Sequence, residues 1–191
     1  MKKIFKYIFA GMAAMSVVAC SEDALETSPS SSVSGNELLG TATNALVSLN
    51  GVYRAMYTAG VSNSSNTHQC FGITAYNLVA DVMGEDCIMN GQGSGWFWYD
   101  CVYNVKSRYT STGWRSYDMW NGYYTWISNV NYILAEEETM SGSETEKNYV
   151  LGQAYAVRAY SYFMLAQMFS RTYKRHESEP CVPLYTEPTD I

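Results

Sequence analysis

The chain has 191 residues, 15% of them aromatic, and a net charge of −6. That length is enough for one domain with a real core, and the acidic balance argues against nucleic acid and anionic membrane surfaces as partners. Tyrosines outnumber phenylalanines 17 to 6; a Tyr ring can be buried while its hydroxyl still bonds, which suits wet, polar interfaces.

Residues 1–20 read M-K-K-I-F-K-Y-I-F-A-G-M-A-A-M-S-V-V-A-C. A basic start, an apolar run too short to span a bilayer and small closing residues make an export signal. Val17, Val18, Ala19 and Cys20 match a bacterial lipobox, which predicts diacylglycerol transfer to the Cys20 sulfur and cleavage after Ala19. An ordinary secretory signal ending beside a Cys is the alternative. Residues 1–19 are thus expected to be a lipoprotein signal peptide, whose loss removes Lys2, Lys3 and Lys6 and leaves the chain more acidic. Several acyl chains anchor durably where one binds marginally. Residues 20–34, with Pro29 and a serine run, are expected to be a flexible lipid-anchored tether.

Residues 35–191 are the expected folded part. Leu38, Leu39, Ala42, Ala45, Leu46, Leu49, Val52, Tyr53 and Met56 fall at helical spacing and predict a long helix over 35–59, capped at Ser34 or Asn36. Asn50-Gly51 lies inside that pattern; the apolar period runs through it, so a kinked or tightly packed helix is expected there. A further helix is expected over 67–83, with Phe71, Ala75, Leu78, Val79 and Val82 inward. Gly84, Gly91, Gly93 and Gly95 then break any period.

Trp120, Tyr123, Tyr124, Ile127, Val130, Asn131 and Leu134 predict a helix over 120–134. An acidic connection over 136–146 leads to a helix over 149–170 with two apolar stripes. Val150, Ala154, Val157, Ser161, Met164, Leu165 and Met168 make one, and Leu151, Tyr155, Tyr162, Ala166 and Phe169 the other. Adjacent stripes predict burial on more than one side. Two such helices around a short polar connection, with alanines at 154, 156, 159 and 166 leaving room for neighbours, spell a stacked helical hairpin. Beyond residue 170 the chain turns irregular, with Pro180, Pro183 and Pro188.

The chemical candidates are few. Trp96, Trp98 and Tyr99 follow the Gly-rich loop and offer flat faces that can stack on sugar rings. The competing reading is a buried plug, with Trp96 and Trp98 on one face and Phe97 and Tyr99 on the other. Arg158 sits among apolar neighbours and needs a partner, since an unpaired buried ion is very costly; a structural ion pair or carbonyl clamp is the favoured role. Asn131 is a structural hydrogen-bonder on the helix opposite. Asp81, Glu85 and Asp86 cluster before the loop but lack a calcium-loop ligand ladder. Cys70, Cys87, Cys101 and Cys181 match no zinc spacing, and their pairing stays open. No catalytic motif, metal site or cofactor site is predicted.

The ordered motifs resemble the amino-terminal third of the SusD/RagB family of nutrient-binding outer-membrane lipoproteins. They are the lipobox with Cys20, L-E-T-S-P at 25–29, A-L-V-S-L-N-G-V-Y at 45–53, W-N-G-Y-Y-T-W-I-S-N-V-N at 120–131, A-Y-A-V-R-A-Y-S-Y-F at 154–163 and V-P-L-Y-T at 182–186. The chain departs from the family at Ser170, where a Gly is usual, and in the polar run 171–179. Family members run to several hundred residues, so the chain is expected to be a fragment or a truncated product. The resemblance implies a mainly α fold of tetratricopeptide-like helical hairpins with long irregular loops, here incomplete. It implies a non-catalytic lipoprotein of the outer membrane, working with a SusC-like TonB-dependent barrel on a glycan or, second, a peptide. Ser21, Glu22 and Asp23 after the lipidated Cys resemble a Bacteroidetes surface-export signal, with a plain solvated tether as the alternative. A surface glycosidase using Asp81 or Asp86, and a helical scaffold without a small ligand, are the competing functions.

Overall fold

The computed structural model describes residues 38–60, 64–103 and 113–188. The chain divides into units 1–35 and 36–191, and every element below belongs to the second. The signal segment, Cys20 and the tether lie outside the described residues, as do Ser34 and Asn36.

Helix α1 spans Ala42–Ala55 and buries Ala42, Ala45, Leu49 and Val52 on one face. The apolar spacing predicts one continuous helix here, but the structure interrupts it: Leu38 and Leu39 are helical, Gly40 is a bend and α1 begins at Ala42. Thr41 is the cap; its Oγ1 accepts from the Asn44 amide at 3.1 Å, satisfying one donor that the first turn leaves open. The interruption has a tertiary cause. The Ala42 amide donates to Ser141 O at 2.9 Å and the Ser141 amide to Gly40 O at 3.0 Å. Backbone groups that would extend the helix therefore serve an isolated parallel bridge between Thr41 and Ser141. The helix runs through Asn50-Gly51, and a Cβ at Gly51 would meet nothing within 4 Å. Close packing is not what places glycine there.

The expected helix over 67–83 is two pieces. A 3-10 turn covers Ser64–Gln69, and α2 covers Ile73–Met83. Gly72 divides them with φ +67° and ψ −142°, a conformation open to glycine. Ala75, Tyr76, Val79 and Val82 are buried, while Leu78 is exposed. Trp98–Cys101 forms one short helix, α3.

Helix α4 spans Trp114–Ala135 and α5 spans Glu144–Phe169. They lie side by side and antiparallel: Trp120 meets Phe169 at 5.1 Å, Tyr124 meets Tyr162 at 6.3 Å, and Tyr155 bonds Glu137 at 2.6 Å. The connection is shorter than the acidic run suggests, because Ser143 starts α5 with a capping box. Its side chain accepts from the Glu146 amide, and the Glu146 carboxylate accepts from the Ser143 amide. Glu144 and Glu146 thus sit in the first turn, where the helix dipole favours negative charge.

Helix α1 packs on both α4 and α5, and α2 reaches α4 through Tyr76, whose hydroxyl donates to Asp118 O at 2.9 Å. Tyr76, Tyr123 and Trp126 are almost wholly buried together, with Tyr76 5.4 Å from Tyr123 and 6.0 Å from Trp126. The core around them includes Leu49, Ile127, Val130, Ile133, Val150 and Leu165; each buried aliphatic side chain contributes about 2 kcal/mol of transfer free energy. Burial of α5 on more than one side holds in part: α1 and α4 both pack against it. In the second stripe Leu151 is buried, Tyr162, Ala166 and Phe169 are half-buried and Tyr155 is exposed. Val150, Leu151, Ala154, Val157, Ser161 and Leu165 are covered, but Tyr155, Ala156, Ala159 and Phe163 face outward. Among the described residues no helix is long and apolar enough to cross a membrane.

Candidate functional site

The aromatic run after the Gly-rich loop does not alternate as an extended strand would. Phe97 takes a left-handed conformation, φ +56°, and α3 begins behind it. The faces predicted from alternation are therefore wrong: Phe97 alone is plugged into the core, at 6% exposure, and meets Phe71 edge-on at 6.4 Å. Trp96 and Tyr99 are exposed, at 48% and 46%, and Trp98 is half-buried. Trp96 lies on the His68 ring, centroids 4.7 Å apart and planes 25° off parallel. One indole face is thus supported while much of the ring stays open. An aromatic surface of this kind binds sugar C–H faces with little loss of side-chain entropy.

What holds this platform is polar and buried. Arg115, in the first turn of α4, pairs with Asp100 of α3 at 3.2 Å; their side chains are 5% and 1% exposed. Arg115 Nη1 also donates to Gln69 O at 2.8 Å. Gln69 Oε1 in turn accepts from the Phe97 amide at 3.0 Å. The guanidinium lies 4.1 Å from the Trp114 ring centre and 5.1 Å from that of Phe97, within cation–π range. Burial draws the Arg115 pKa down to about 10, against the opposing pull of Cys70 and Asp118. It remains a cation at neutral pH. Burial also pushes the Cys70 thiol up to about 12, with the Asp118 charge and a hydrogen bond to it adding to the effect. Cys70 is a core thiol, and Cys87, Cys101 and Cys181 are free as well.

Arg158 and Asn131 meet on the groove between α4 and α5, away from the platform. Arg158 Nη1 donates to Asn131 Oδ1 at 2.9 Å and to Thr186 O at 3.2 Å. Asn131 Nδ2 donates to Tyr185 O at 2.9 Å and Glu187 O at 3.1 Å. The Tyr162 hydroxyl bonds both the amide and the carbonyl of Tyr185, and Tyr124 donates to Pro183 O at 2.8 Å. The extended segment 182–187 is therefore strapped to the hairpin by its backbone. The tyrosine excess has a use here: rings pack on the helices while hydroxyls bond carbonyls. Asp81, Glu85 and Asp86 are solvent-exposed. Among the described residues no group of three or more His, Cys, Asp or Glu is placed to hold a metal ion.

Periodicity misses the Asp100–Arg115 pair and the His68 support, because their partners are brought together across the fold and share no local spacing. The one local signal is a charge beside aromatics at Asp100 and at Arg115.

Fold and site together describe a mainly helical hairpin scaffold that presents an aromatic loop. A family model for SusD-like proteins, described as starch-binding associating with outer membrane, matches residues 25–190. The chain belongs to this SusD-like family. The crystal structure of a SusD-like carbohydrate binding protein from Bacteroides vulgatus is similar, with a TM-score of 0.63 and 24% identity. The match covers 79% of this chain and 30% of that one, so the chain spans under a third of the solved relative. No curated protein matches the chain.

Proposed function

We propose that this protein binds a glycan without altering it, as the surface lipoprotein of a nutrient-uptake complex in the outer membrane. The observation that carries the reading is the half-open indole of Trp96, backed by His68 and set on a loop tied to α4 by a buried ion pair. Tyr99, three residues on, supplies a second exposed aromatic group. Membership in a family described as starch-binding supports a carbohydrate ligand. In the intact protein, Trp96→Ala is expected to weaken glycan binding about tenfold, the loss of roughly 1–1.5 kcal/mol of stacking. Affinity-gel retardation on glycan-loaded gels reads this directly. Retardation equal to that of the unsubstituted protein would show that Trp96 is not the contact.

The anchor is the Cys20 diacylglyceryl group, and the working partner is a SusC-like TonB-dependent barrel. The lipobox at 17–20 and the family's outer-membrane description support this part of the reading. Cys20→Ala is expected to move the protein from the membrane fraction to the soluble one, since acyl chains supply the membrane affinity. Retention of that variant in membranes would mean another anchor holds it. Affinity capture of the native lipoprotein from mild detergent should bring a barrel protein with it. Recovery alone, while other membrane complexes stay intact, would rule out a stable partnership.

A further inference from the structure

The polar run that closes α5 builds a second cleft. It has a volume of about 580 Å³ and is lined by Phe163 and Gln167 of α5 and by Arg171, Tyr173, His176 and Glu179 of the loop that follows. That volume is within the span of small-molecule sites. Two of its aromatic rings are unusually open: Tyr173 is 80% exposed and Phe163 is 59% exposed. Large apolar groups left in water at one place mark a contact surface.

The polar wall is a chain of side-chain and backbone contacts. Arg171 Nη1 lies 3.2 Å from Glu179 Oε2, His176 Nε2 lies 4.0 Å from Glu179 Oε1, and His176 Nδ1 is 2.9 Å from Thr172 O. Arg175 holds a left-handed backbone, φ +79°, with its amide bonded to Glu177 Oε1 at 3.1 Å. Such a conformation costs a non-glycine residue about 1–3 kcal/mol and persists where its surroundings impose it. The His176 amide donates to Tyr173 O, and the Glu179 amide to His176 O, each at 3.0 Å. The backbone of the loop is thus a preformed turn, which lowers the ordering cost when a ligand arrives.

We propose that this cleft is a second carbohydrate-binding site, for a neutral oligosaccharide. Two exposed rings offer stacking faces. Arginine, carboxylate, imidazole and the Gln167 amide offer the planar donors and acceptors that vicinal hydroxyls bond in pairs. The ionised lining residues are Arg171 against Glu177 and Glu179, so the cleft carries no positive excess for an anionic ligand. Glu179 is already paired with Arg171, which leaves it poorly placed to neutralise a bound cation. A neutral polyol fits that balance. The cleft stands at the end of α5 that meets the start of α4, the same end of the hairpin that carries the Trp96 loop.

The site stands apart from the Trp96 reading and is tested separately. The intact protein, Tyr173→Ala, Phe163→Ala and Trp96→Ala are each applied to an array of neutral plant and host oligosaccharides. Tyr173 and Phe163 are exposed, and circular dichroism checks that both variants keep their helices. At least one oligosaccharide is expected to bind about tenfold more weakly to Tyr173→Ala and to Phe163→Ala, and to remain bound by Trp96→Ala. Binding profiles of Tyr173→Ala and Phe163→Ala that superimpose on the parent overturn the second site and leave the Trp96 reading standing. Loss confined to these two cleft variants upholds the cleft and removes Trp96. A parent that binds no neutral oligosaccharide overturns both.

Discussion

Asp100→Ala is expected to destabilise the protein by about 4 kcal/mol, because it strands the buried Arg115 cation. Arg115 keeps its bond to Gln69 O and the attraction of the Asp118 charge, but neither replaces the directly paired carboxylate for a guanidinium buried to this degree. Expulsion of Arg115 to water would instead strip its guanidinium from the Trp114 and Phe97 rings. Both outcomes loosen α3 and the Trp96 platform. Urea denaturation of the intact protein measures the loss. Two companion variants separate the causes. Asp100→Asn retains an acceptor and should cost less, about 2 kcal/mol. The pair Asp100→Leu with Arg115→Met removes both charges and should recover most of the stability, since well-packed apolar groups can replace a buried ion pair. A loss under about 1 kcal/mol in Asp100→Ala would mean that the pair is not what anchors the loop.

The second large effect is expected at Gly72. Gly72→Ala should cost about 4 kcal/mol from two sources. The backbone at φ +67° and ψ −142° lies where L-residues are strained, worth about 1–3 kcal/mol. An added Cβ would also collide with the Met56 carbonyl group, which is main chain and cannot rotate aside. Overpacking of that kind costs about 1–3 kcal/mol. Met56 O is further held in place as acceptor of the Ile73 amide at 2.8 Å. The denaturation midpoint reads the sum. Gly51→Ala is the matched control, because its added methyl meets nothing and the site lies inside α1. It should raise stability by about 0.5–1 kcal/mol through helix propensity alone. Equal effects at the two glycines would refute the conformational account.

Apolar period alone made the hairpin legible. Tyr123, Ile127, Val130, Val150, Val157 and Leu165 recur at helical spacing and prove buried. Element ends were less legible, because partners distant in sequence decide them. The start of α1 depends on Ser141, and the break before α2 on the approach of Gly72 to Met56. The start of α5 was written locally, as the Ser143–Glu146 capping box, though its apolar stripes begin only later. The two stripes of α5 recorded apolar character without saying what covers it, and its Tyr155–Phe163 flank stays in contact with solvent. At the site, Trp96 and Tyr99 could be found as aromatic residues near glycines. Their exposure followed from the left-handed turn at Phe97, which no alternation rule anticipates. His68 beneath Trp96 and Arg115 beneath Asp100 are contacts of the folded chain only.

The most direct test is an NMR titration of the intact protein with a glycan that it retains on affinity gels. The indole N–H signal that disappears in Trp96→Phe identifies the reporter. That signal is expected to shift saturably as the glycan is added, and the glycan recovered afterwards should have an unchanged mass. A Trp96 signal that stays still while binding saturates, or a glycan returned cleaved, would contradict the account.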